Sequence, residues 1–207
     1  MESQWLSLAK RLQAIASTGC YYCRDEYDRQ RYQEIGDIAQ RMLADLGSVP
    51  LNRIRALVSD FARGYETPKV DVRGTVVEEE RVLLVRERSD GLWTLPGGFA
   101  DVGRSPARNA EKEIWEEAGI RVAAKRLYAV RYKGIGSYDP DVREFYKLFF
   151  LCERLDDAAP RPGDETTEVG FFAIESLPPL STGRVIRQDI ERALLYARDL
   201  TLPTFFE

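Results

Sequence analysis

Glu113, Glu116 and Glu117 crowd three carboxylates onto one short stretch of chain. Residues three and four apart are neighbours on a helix, and like charges placed there destabilise it. A divalent cation reverses that sign, because a hard ion such as Mg2+ seeks carboxylate oxygens and completes its octahedron with substrate phosphates. The competing assignment is a solvated acidic face, and the flanks decide between the two. Ser105 can accept a hydrogen bond from a free first-turn amide, and Pro106 suits the first helical position, so a helix starts near Pro106. Ala107, Ala110, Ile114 and Ala118 form its apolar stripe, which directs the glutamates mainly away from the buried side. Gly119 ends it in the left-handed position. Gly97 and Gly98 allow a tight turn that brings carbonyl oxygens close to whatever the glutamates hold. A strand, a tight loop and a carboxylate-bearing helix make a cradle for Mg2+ (or Mn2+).

From Gly98 through Arg104, Lys112, Glu113, Ile114, Glu116 and Glu117 to Gly119 and Ile120, the spacing resembles the Nudix box. That motif reads Gly, five residues, Glu, seven residues, then Arg-Glu-aliphatic-x-Glu-Glu-x-Gly-aliphatic. Two defining positions differ: Lys112 stands for the Arg, and Arg104 reverses the charge of the first Glu. In the family that Glu commonly supports the Arg, so Arg104 and Lys112 would repel, and Asp101 or Glu111 is the expected substitute for orienting the loop. The resemblance extends through Thr67–Arg73, Leu83–Gly98, Tyr146–Cys152 and Glu165–Phe172 to the subfamily that hydrolyses nucleoside diphosphates linked to another moiety. Members carry a helical N-terminal extension, and CDP-choline and ADP-ribose are among their substrates.

The resemblance implies metal-dependent hydrolysis of a nucleoside diphosphate-X to a nucleoside monophosphate and phospho-X. It implies Glu113 and Glu117 as main metal ligands, Glu116 as a further ligand or catalytic support, and the Gly97 carbonyl as a backbone ligand. Many relatives draw a general base from a later loop, for which Glu165 and Glu168 are the candidates. Arg73, Arg86 and Arg88 could grip phosphate oxygens in pairs, or serve as ion-pair partners of Asp71, Glu87 or Asp90. Tyr132, Tyr138, Phe145 and Tyr146 could stack on a nucleobase, with core packing as the competing assignment. A non-catalytic nucleotide-sensing regulator of the same fold, and the same chemistry on RNA ends, are the alternative functions.

Composition sets the outer limits. The chain has 207 residues, 44% hydrophobic, enough for a sizeable core. Its net charge of -4 argues against an extended grip on nucleic acid, so a small molecule is the expected partner. No apolar run approaches the roughly 20 residues that span a bilayer, and the stretch Met1–Trp5 lacks a basic region followed by a long apolar run, so a cytoplasmic location and no membrane partner are expected. Cys20 and Cys23 have half a zinc site's spacing, but with Cys152 far away and no histidine a tetrahedral site lacks ligands. The same lack of histidine excludes Ser-His-Asp and Cys-His nucleophilic devices.

Helical periodicity predicts segments over 3–18 (Trp5, Leu8, Leu12, Ile15, Ala16), about 26–46 and about 51–62 (Leu51, Ile54, Val58, Phe61). Such small helices should bury their stripes against one another and a second surface, so a homodimer through them is expected. From Pro68 the pattern turns to short strands over 70–77, 81–85, 93–95, 127–132, 145–152 and 170–173, with the box helix and a last helix reaching about Leu200. The expected class is α/β (α+β): a small all-α N-terminal domain, residues 1–65, then an α/β/α sandwich with a mixed sheet, residues 66–207.

Overall fold

A computed structural model describes residues 3–59 and 65–207. The expected end of the third helix near residue 62, with the side chains of Val58 and Phe61, lies outside the described residues. Two compact units emerge, one of residues 1–69 with 139–144, the other of residues 70–138 with 145–207.

In the first unit α1 (Gln4–Tyr22), α2 (Glu26–Gly47) and α3 (Leu51–Ser59) follow one another. Ser3 and Asp25 cap the first two, accepting from Leu6 N (3.2 Å) and Asp28 N (3.1 Å). Small residues line the buried faces: Ala9 and Ala16 on α1, Gly36 and Ala39 on α2. Close helix approach leaves the expected α1 stripe outside, with Trp5 65%, Leu8 44%, Leu12 37% and Ile15 42% exposed. Only Ala16 of that stripe is buried. Gly19 does not end α1; it lies against the Tyr32 ring, and the helix runs on to Tyr22. No described helix is long and apolar enough to cross a membrane.

The second unit contains β1 (Lys69–Thr75), β2 (Val77–Glu78), β3 (Arg81–Glu87), β4 (Trp93–Thr94), β5 (Gly97–Phe99), α4 (Pro106–Ala118), β6 (Val122–Tyr132), β7 (Phe145–Arg154), β8 (Thr166–Ala173), α5 (Arg187–Arg198) and β9 (Phe205–Phe206). One sheet runs β5-β1-β7-β6-β9, mixed because β9 joins β6 in parallel while β6 and β7 are antiparallel. The other runs β2-β3-β4, with β8 also on β3. Strand alternation splits the interior in two. Leu83 and Val85 of β3 and Phe150 and Cys152 of β7 pack with Ala110, Ile114 and Ala118 of α4. Their neighbours Val82, Leu84, Phe149 and Leu151 pack with Ile190 and Ala193 of α5. Helices on opposite faces of central sheets give the expected α/β/α sandwich. Two strands escaped the sequence pattern: β5 is glycine-rich, and β9 is too short to show a period.

Candidate active site

The box helix starts and stops where its caps require. Ser105 Oγ accepts from Arg108 N (3.3 Å), Pro106 occupies the first turn, and Gly119 closes the helix at φ 69°. Buried Asn109 ties down the loop ahead of it, accepting from Asp101 N (3.1 Å) and donating to the carbonyls of Asp101 (3.4 Å) and Ser105 (3.3 Å). At the other end Thr166 Oγ1 donates to the Glu117 carbonyl (2.8 Å) and Arg161 N to that of Ala118 (3.0 Å). These bonds occupy carbonyls that a helix C-terminus otherwise leaves unpaired.

Glu117 is buried at 5% exposure, and Gly97 N donates to its Oε2 (3.0 Å). Burial pushes its carboxyl up to about 8, against the opposing pull of Arg73 and the Gly97 amide. Glu113 lies beside Gly98, where an added Cβ would meet Oε2 at 3.2 Å, and burial raises its carboxyl too. Glu116 is exposed and pairs with Lys112 (2.8 Å). The same ammonium reaches Asp101 (3.3 Å) and Glu113 (3.4 Å), and these partners, Glu116 foremost, hold Lys112 charged far above its ordinary range. Asp101 thus stands beside Lys112, while Glu111 instead accepts from Ala124 N (2.9 Å) and pairs with Arg108 (2.7 Å). Arg104 is exposed.

The remaining candidates are placed more diversely. Arg73 is buried, donating to Asp71 Oδ1 (2.9 Å) and the Leu95 carbonyl (3.1 Å), so its guanidinium is engaged by protein groups. Arg86 pairs with Glu168 (2.5 Å) and donates to the Gly91 carbonyl (2.8 Å). Arg88 donates to the carbonyls of Asp164 (3.0 Å) and Thr166 (3.2 Å). Glu165 is exposed and near enough to Glu87 for their charges to repel. Tyr132 meets Tyr146 edge-on (6.3 Å between ring centres), Tyr138 is buried on Asp189 (2.7 Å), and Phe145 stacks on Phe99 (5.8 Å). The sequence pattern did not single out Asn109, which acts locally on the loop before the helix, or Thr166 and Gly163, which reach the Glu117 carbonyl from far along the chain.

Among the described residues no three acidic, Cys or His side chains converge as a preformed metal-binding group. The donors nevertheless suit a hard cation. A buried carboxylate with a single amide partner gains from one, the glycine turn leaves room beside Glu113, and the Lys112 ammonium already bridges Glu113 and Glu116 as a stand-in positive charge.

Sandwich, capped helix and glycine turn together define an α/β/α protein with a carboxylate-bearing helix seated against a glycine turn, and comparison with known proteins places it. The NUDIX domain matches residues 67–193, and the UDP-X-like N-terminal oligomerisation domain matches residues 3–58. A Bacillus subtilis (strain 168) protein provisionally named an ADP-ribose pyrophosphatase, YjhB, is 39% identical over 207 residues, spanning 100% of this chain and 99% of that one. The crystal structure of a UDP-X diphosphatase superposes with TM-score 0.62 at 32% identity, covering all of both chains. That of a Streptococcus suis 89-1591 ADP-ribose pyrophosphatase gives TM-score 0.62 at 38% identity, over 68% of this chain and 100% of that one. The chain belongs to the Nudix family and is a Nudix hydrolase.

Proposed function

We propose that the protein hydrolyses the pyrophosphate bond of a nucleoside diphosphate linked to a second moiety, of the ADP-ribose, UDP-X or CDP-choline type. The products are a nucleoside monophosphate and phospho-X. The observation that carries this reading is the buried Glu117 carboxylate, held by Gly97 N (3.0 Å) next to a glycine turn that leaves room beside Glu113. Glu113, Glu117, Glu116 and the Gly97 carbonyl would hold Mg2+ or Mn2+ there. Such an ion neutralises diphosphate oxygens and lowers the pKa of bound water. Of the two candidate carboxylates, Glu165 is the better base, because Glu168 lies not on a loop but within β8, opposite Arg86, with which it pairs (2.5 Å). Arg86 near the end of β3, which would exchange its pairing with Glu168 for phosphate, and Arg88 just past that strand are the proposed phosphate contacts, and Tyr132 the proposed base contact. Arg73 is withdrawn from that set by its burial.

Incubation with Mg2+ or Mn2+ and a panel of ADP-ribose, UDP-sugars, CDP-choline and NAD-capped RNA, with products separated by ion exchange, tests the reading. Turnover of a nucleoside diphosphate-X to the monophosphate is expected. No cleavage of any diphosphate by metal-loaded protein would reject it in favour of a nucleotide-sensing role, and preference for the RNA would move the substrate class.

Residues 1–65 act in this scheme as an assembly domain and residues 66–207 as the hydrolase domain. The exposed Trp5, Leu8, Leu12 and Ile15 give α1 a face suited to a second copy of the chain. Sedimentation equilibrium should show a dimer that Leu8→Asp/Leu12→Asp converts to monomer; a monomeric wild type at micromolar concentration would refute the assignment.

A further inference from the structure

Three charged side chains lie almost wholly buried beneath the glycine turn: Asp71 (5% exposed), Arg73 (4%) and Lys147 (1%). Removing charges from water is costly, and hydrophobic replacements often stabilise a protein better. Such a cluster calls for a reason beyond stability. Its geometry supplies one. Arg73 pairs across β1 and β5 with Gly97, and a Cβ on Gly97 would lie 2.9 Å from both Arg73 Cα and Cδ. From that contact the guanidinium reaches to the Leu95 carbonyl (3.1 Å) and Thr94 Oγ1 (3.5 Å), so one side chain grips the segment entering the turn. Asp71 anchors it at Nε (2.9 Å), and Lys147 pairs with the other Asp71 oxygen. The charge of Arg73 is felt by the buried Glu117 and Glu87 and by the half-buried Glu113.

We propose that Arg73, held by Asp71 and Lys147, is a positioning residue of the hydrolase. It fixes the Leu95–Gly97 turn where Gly97 meets Glu117, so that the carboxylate is held in place before a cation arrives. This role differs from a phosphate grip, and it rests on Glu113 and Glu117 being metal ligands. No sequence pattern carries it, because Arg73 reads as a polar position in an alternating strand.

Mn2+ titrated into metal-free protein, with free ion counted by electron paramagnetic resonance, tests it on wild type, Arg73→Lys, Arg73→Met, Asp71→Asn and Glu117→Gln. Arg73→Lys keeps the charge and cannot span Asp71 and Leu95 at once. It should fold and lose about tenfold in Mn2+ affinity, the scale seen when groups supporting metal ligands are removed. Arg73→Met should lose more, and Asp71→Asn less. kcat should fall in the same order while the substrate KM at saturating Mn2+ stays within about twofold, since no ground-state substrate contact is lost. A raised KM with unchanged Mn2+ affinity would restore the phosphate grip and overturn the proposal. So would unfolding of both Arg73 variants beside an Asp71→Asn protein that binds Mn2+ normally, which leaves only a structural role. Should Glu117→Gln also bind Mn2+ like wild type, the ligand assignment itself fails; loss in Glu117→Gln with full binding in Arg73→Lys refutes the Arg73 role alone.

Discussion

Glu117→Gln is expected to lower turnover of the nucleoside diphosphate substrate by about a thousandfold, the scale of several kcal/mol of transition-state charge stabilisation. The same change should raise the stability of the metal-free protein at pH 8.5. Both effects follow from one carboxylate. Glutamine preserves the shape and still offers an oxygen to Gly97 N, but it cannot be the anionic ligand. The cost that burial places on the charge disappears with it.

The pH dependence gives the expectation its sign. In the folded metal-free protein the Glu117 carboxyl is pushed up to about 8, against 4.5 as the ordinary value. Between those values the folded chain binds the proton more tightly than the unfolded chain, so protonation favours folding. That contribution is fully present below about pH 4.5 and is lost as pH rises through about 8. Glu113 and Glu87, both raised by burial, push in the same direction. Calorimetric scans in chelator should therefore show wild-type melting falling between pH 5.5 and 8.5. Glu117→Gln should fall less, with a gap at the upper end of several degrees, on the order of 2 kcal/mol. Superimposable profiles for the two proteins would show that Glu117 is not the strained group. Mn2+ should close the gap by stabilising only the wild type, since a ligand that binds the folded state alone adds to its stability.

The chemistry of this chain was far more legible than its packing. Caps and spacing are local, so Ser105, Pro106 and Gly119 delimit the box helix from sequence alone, and the structure keeps those limits. Whether a given glutamate is buried is not local. Glu113, Glu116 and Glu117 look equivalent along the chain, yet Glu117 is buried under β5 while Glu116 is exposed beside Lys112. Asn109, Thr166 and Gly163 escaped notice because each acts on backbone and not on substrate. A Cβ on Gly163, for example, would fall 1.7 Å from the Glu116 carbonyl. The α1 stripe failed for a different reason. Periodicity finds the largest apolar residues, whereas the buried face of α1 mixes Leu6, Ala9 and Ala16 with Lys10, Gln13 and Ser17, packs beside Gly36 and Ala39 of α2, and leaves Trp5 and Leu8 outside. Hydrophobic spacing identifies a face to be covered without saying what covers it.

Gly97→Ala and Gly98→Ala should separate architecture from chemistry within one dipeptide. Gly97 holds φ at 149°, and a Cβ there would lie 2.1 Å from the Val72 carbonyl and 2.9 Å from Arg73 Cα. Neither obstacle is the end of a flexible side chain, so β5 must lift from β1. The change should cost at least about 3 kcal/mol from backbone strain and clash combined, with hydrolysis lost because Gly97 N no longer reaches Glu117. The Gly98 neighbour at 3.2 Å is the Glu113 carboxylate, which can give by a few tenths of an ångström. Gly98→Ala should cost less than about 1 kcal/mol of stability and yet weaken Mn2+ binding by about tenfold. Urea unfolding and Mn2+ titration of both variants decide the matter. If Gly98→Ala binds Mn2+ normally, Glu113 is not a ligand; if Gly97→Ala remains as stable as wild type, β5 does not seat against β1 as described, and the support given to Glu117 must come from elsewhere.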